Sequence, residues 1–121
     1  MSFALAARIV AGVCAVLFVI LCFFPASYAP TYGVAADAAA QFITRRASPM
    51  FVGVAVVLWA AAAAPRSPLR DAVAGGVAVM WLAIAATGVV AWGQGVATPA
   101  ILVAAALECV LAAALWFTRK N

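Results

Sequence analysis

The stretch PAILVAAALECVLAAALWFTRK, Pro99 to Lys120, decides the fold. It opens on a proline, which the first turn of a helix tolerates. It then runs apolar to Phe117, broken only by Glu108, and closes on Arg119 and Lys120. About 20 apolar residues cross the hydrocarbon core of a bilayer, and terminal cations of this kind mark the end of such a span.

Three further stretches have the same character. The spans are expected at about 3–24, 47–64, 68–92 and 99–117. The chain is therefore predicted to be an all-α integral membrane protein. It would be an antiparallel four-helix bundle forming one transmembrane domain over residues 1–121. Composition demands the same solution. The chain is 70% hydrophobic and 8% charged, with a mean hydropathy of +1.23. Soluble chains carry about 25% charged residues, and a soluble domain of this length has no interior large enough for so much apolar surface.

The segments between spans carry their own signals. Pro25 to Gly33 interrupts the first helix with two prolines and a glycine, and Tyr28 and Tyr32 suit a headgroup interface. Arg8 and Ser27-Tyr28-Ala29 imitate a signal peptide, but Pro30 would follow the cut and block it, so the first helix is expected to be retained. Val34 to Thr44 is alanine-rich and reads as a short helix lying at the interface or leading into the second span, with Asp37 as a local cap or ion-pair partner. Ser48-Pro49 is either the start of the second span or a kink in a longer helix. Pro65 ends that span, and the short loop after it makes spans two and three antiparallel neighbours. Ser67-Pro68 caps the third helix, with Asp71 in its first turn. Gly93-Gln94-Gly95 is a turn, and Thr98-Pro99 caps the fourth helix.

Lys and Arg placement sets the expected orientation. Arg8, Arg66, Arg70, Arg119 and Lys120 fall on one side, and only Arg45 and Arg46 on the other. The positive-inside rule then puts both termini in the cytoplasm.

Glu108 is the residue that most asks for a role. It lies midway between Pro99 and Phe117, where a charge costs about 2.5–3.5 kcal/mol on insertion scales. It must be protonated, paired or facing a polar cavity. Ala100, Ala104, Glu108, Ala112 and Trp116 form one helical stripe of mostly small residues, which turns Glu108 towards other helices. Two partners are expected. Arg8 shares a face with Gly12 and Ala15, and Arg46 shares one with Met50, Gly53 and Val57. Arg45 points about 100° away from Arg46 and is expected to snorkel to headgroups. Either a functional polar site or a structural ion pair would result. Trp81 sits mid-span, and its N–H needs a partner, so it lines a cavity or fills the core. Gly12, Gly53, Gly75, Gly76 and Gly88 are expected at helix-packing surfaces.

Other chemistries find no residues. The net charge of +4 forms no basic stripe with interleaved aromatics, so no nucleic acid is expected as partner. The chain has no histidine, and Cys14, Cys22 and Cys109 form no paired motif; no metal and no cofactor is expected. No nucleophile sits with a base, so the protein is not expected to be an enzyme. Phe42-x-x-Arg45-Arg46, Gly53 and the lone Glu108 together resemble a broad set of small four-helix bacterial inner-membrane proteins without an assigned activity. That resemblance implies a fold and a membrane, the inner membrane of a bacterial cell. Small size and alanine- and glycine-rich faces favour a non-catalytic accessory or interaction subunit, with the lipid bilayer and other membrane subunits, or further copies of the chain, as partners. The alternative is a small oligomeric transporter or binder of a hydrophobic or weakly polar molecule, proton-linked through Glu108. A cavity beside Glu108 and Trp81 separates the two readings.

Overall fold

The computed structural model describes residues 1–121. It is all-α. Helix α1 covers Phe3–Phe23 and α2 Pro25–Tyr28, followed by a 3-10 turn over Ala29–Tyr32. Helices α3, Ala38–Ala63, α4, Pro68–Gly93, and α5, Ala100–Thr118, complete the chain. Four of them, α1, α3, α4 and α5, are long and apolar enough to cross a membrane.

Side-chain caps fix three of the starts. Ser2 Oγ accepts the Leu5 N–H at 3.3 Å, Asp37 Oδ1 that of Ala40 at 2.7 Å, and Ser67 Oγ that of Arg70 at 3.2 Å. Each relieves one of the unpaired donors that open a helix. Helix α5 differs from expectation. Pro99 occupies its cap without a side-chain bond, and the Thr98 main-chain N–H goes to the Tyr32 carbonyl at 2.8 Å instead. That bond ties the turn after α1 to the loop before α5.

Of the two readings of Ser48-Pro49, the longer helix holds, and the separate interfacial helix over 34–44 and the span start at 47 are corrected. Residues 38–63 form one continuous helix with Pro49 inside it. Proline lacks the N–H that would bond the carbonyl four residues back, here that of Arg45. The hydroxyl of fully buried Ser48 donates to the Arg45 carbonyl at 2.8 Å in its place. The polar group that looked like a cap thus repairs the helix and lets it run on.

Helix α1 packs chiefly on α3, and α4 on α5. Helices α3 and α4 follow one another through a short loop, as neighbours in sequence, yet touch little. One apolar core nevertheless draws on all four long helices, with Ala7, Cys14, Leu58, Ala62, Ala78, Trp81, Ala112 and Leu115 among its members. Small side chains dominate it, so the helices approach closely and Trp81 supplies much of the bulk.

The glycines divide. A Cβ on Gly88 would stand 3.2 Å from Ile101 Cγ1, and one on Gly75 3.2 Å from Arg119 Nη1, so both lie where α4 meets α5. Gly12, Gly53 and Gly76 have open space beside them and pack against nothing in this chain.

Arg70 clasps the end of the bundle that holds both termini. Its guanidinium lies 4.4 Å from the Phe3 ring centroid, and its Nη2 donates to the main-chain oxygens of Arg119 at 3.2 Å and Asn121 at 2.9 Å. Arg66 pairs with Asp71 at 3.6 Å beside it.

Candidate binding site at Glu108

Glu108 is half-buried on α5, and a cavity of about 100 Å³ lies against it. Five elements build its wall. Helix α1 gives Val13 and Leu17, α4 gives Trp81, α5 gives Ala104, Leu107, Glu108 and Leu111, α2 gives Tyr28 and the 3-10 turn gives Tyr32. The spacing on α5 is that of one helical face.

Trp81 is 2% exposed, and its buried Nε1–H has no acceptor. A buried donor left unpaired costs about 1–3 kcal/mol. Phe51 holds the indole from the side, with ring centroids 6.4 Å apart. Tyr28 and Tyr32 meet edge to face at 5.3 Å. Burial, then Tyr32, then the carboxyl of Glu108 push the Tyr28 phenol well above its ordinary range, so Tyr28 stays a neutral hydrogen-bonding group.

The arginines expected at Glu108 are elsewhere. Arg8 is exposed, with its guanidinium 5.8 Å from the Trp59 ring. The buried face of α1 carries Ala7, Val10, Ala11 and Cys14, which turns Arg8 outward with Gly12 and Ala15. Arg46 is also exposed and lies 5.7 Å from the ring of Phe42, one turn back on its own helix. Ser48, Ala55, Leu58 and Ala62 define the buried side of α3, and Arg46 is not on it. The single ion pair in the protein is Arg66–Asp71. Arg45 does not simply snorkel. Its Nε donates to the Cys22 carbonyl at 3.2 Å and so caps the end of α1, a favourable place for a cation.

The site therefore unites two residues singled out in the sequence, Glu108 and Trp81, with two that were assigned to the interface, Tyr28 and Tyr32. Their spacing of four within a proline–glycine break was the available signal. The cysteines stay apart and free, with Cys14 buried and Cys109 exposed.

An all-α chain with four long apolar helices and a carboxyl-bearing cavity among them is the class that fold and site define. Compared with protein-family models, curated proteins and solved structures, the chain has no match.

Proposed function

We propose that this is a non-catalytic, multi-pass protein of the bacterial inner membrane that binds a small hydrophobic or weakly polar molecule in the cavity beside Glu108. One observation carries the reading: the fully buried indole N–H of Trp81 has no acceptor, in a residue that lines the same cavity as the Glu108 carboxyl. Pockets for small molecules are mostly apolar with a few convergent polar groups, and this wall has that composition. Intramembrane carboxylates mark functional sites by default. In the bilayer the four long helices lie antiparallel, with both termini in the cytoplasm, as the distribution of Lys and Arg favours. Transport through so small a bundle would require an oligomer.

Photolabelling tests the reading. A diazirine-bearing short alcohol, added to the protein in nanodiscs, should crosslink to Trp81 and Leu111, the buried residues of the cavity wall. Labelling confined to Val103, Val110 and the other exposed faces would contradict it.

A second reading, an interaction subunit, has its own support. Gly12 and Gly53 are exposed on α1 and α3 with no neighbour, and Ala11, Gly12, Ala15, Ala55 and Ala60 line a shallow groove between those helices. Small residues of this kind favour close approach of another membrane helix.

A further inference from the structure

Arg45 and Arg46 stand apart from the other cations, at the end of α1 remote from the termini. They take no part in the cavity at Glu108. Both line one open pocket of about 530 Å³ on the first turns of α3, together with Ala38, Gln41 and Phe42. Each polar group of that wall is held in place. Arg45 Nε donates to the Cys22 carbonyl at 3.2 Å, Arg46 lies 5.7 Å from the Phe42 ring centroid, and Gln41 Nε2 donates to the Ala36 carbonyl at 2.8 Å. The bond to Cys22 uses Nε alone and leaves the two terminal nitrogens of Arg45 for other partners. No carboxylate lines the pocket. Asp37, the acid nearest in sequence, caps Ala40 through Oδ1, and the protein's one ion pair, Arg66–Asp71, lies at the other end of the bundle. Two fixed guanidiniums therefore open on one space without a counter-charge.

We propose that this pocket binds the phosphate of an anionic phospholipid whose tails lie in the bilayer against α1 and α3. Guanidinium groups meet phosphate oxygens in paired, charge-assisted hydrogen bonds, and basic clusters beside a span attract anionic headgroups. The depth of the pocket follows from the fold. It lies where α1 ends at Phe23, and α1 and α3 are both long and apolar enough to cross a membrane. Phe23, Phe42 and Ile43 are exposed at this level, as side chains that meet lipid are. A zwitterionic headgroup fits less well, because its ammonium finds no acid in the wall. The wall comes from one helix, so a free anion is only half enclosed, whereas lipid tails hold a headgroup there at high local concentration.

Native mass spectrometry of the full chain, ejected from nanodiscs of equal phosphatidylglycerol and phosphatidylcholine, reads the preference. The parent should retain phosphatidylglycerol about tenfold over phosphatidylcholine. Arg46→Gln leaves the Arg45 bond to Cys22 in place and so reads the site in an intact fold. It should cut the ratio to about threefold, and Arg45→Gln combined with Arg46→Gln should bring it to about one. Arg8→Gln removes an equally exposed cation at the other end of α1 and should leave the ratio within about twofold of the parent's. A parent without the preference, a double variant that keeps it, or an Arg8→Gln chain that loses as much overturns the site. The delipidated parent is also offered sn-glycerol 3-phosphate and should not retain it. Retention that the double variant abolishes would put a soluble phosphate in the pocket and overturn the lipid.

Discussion

Trp81 and Glu108 line one cavity from neighbouring helices, a buried indole N–H without an acceptor and a carboxyl that takes no part in the protein's one ion pair. The two expected arginines stack on aromatic rings of the outer faces instead. Glu108 and either arginine should therefore behave as independent sites. Glu108→Gln should change stability by less than about 0.5 kcal/mol, and Arg8→Gln or Arg46→Gln should add to it without rescue. Double-mutant cycles from detergent melts measure this. A coupling above about 1 kcal/mol would show a pair that this arrangement does not contain.

Gly33 closes the turn that carries Tyr28 and Tyr32. Its φ of 77° is left-handed, and a Cβ there would meet the Thr98 side chain just where Thr98 N–H bonds the Tyr32 carbonyl. Gly33→Ala should destabilise by about 1–3 kcal/mol. Gly95→Ala shares the positive φ, at 71°, but has open space beside it, so it should cost about 1 kcal/mol. Thermal melts of the two variants side by side check the order.

Gly88 and Gly76 lie on the same helix and should answer differently. Gly88→Leu drives a side chain into Ile101 and Ala105 and should cost at least about 2 kcal/mol by forcing α4 from α5. Gly76→Leu enters open space and should leave the melting temperature of the isolated chain unchanged. If a partner helix docks on the open faces, Gly12→Leu and Gly53→Leu should abolish its co-purification while leaving that temperature alone.

Orientation can be read directly. In a variant lacking native cysteines, Ala35→Cys should react with an impermeant maleimide added to intact cells, and Asn121→Cys should react only after lysis. Labelling of Asn121→Cys in intact cells would invert the topology drawn from Lys and Arg.

The long helices were legible because hydrophobic length is a property of the local sequence. Ser67-Pro68 and Asp71 set the start of α4 for the same reason. The start of α3 stays between two readings in the sequence because Pro49 suits a first turn as well as a kink in a longer helix. Its repair depends on the rotamer of one hydroxyl, Ser48, which local pattern does not specify. The site was half legible. Depth and chemistry pointed to Glu108 and Trp81. The arginines were misassigned because one residue of rotation, about 100°, separates a buried face from an exposed one, as Ala7 and Arg8 illustrate. Tyr28 and Tyr32 reach the cavity through the turn after α1 and its bond to Thr98, a contact made across most of the chain.

Native mass spectrometry of the protein, released in mild detergent from the membrane in which it was made, tests the central claim most directly. The account predicts a bound small molecule on the parent chain. That adduct should be lost when Ala104→Phe fills the cavity and retained when Gly76→Leu alters an open face. A parent that flies with the mass of the bare polypeptide, under conditions that keep phospholipid adducts in place, would contradict it.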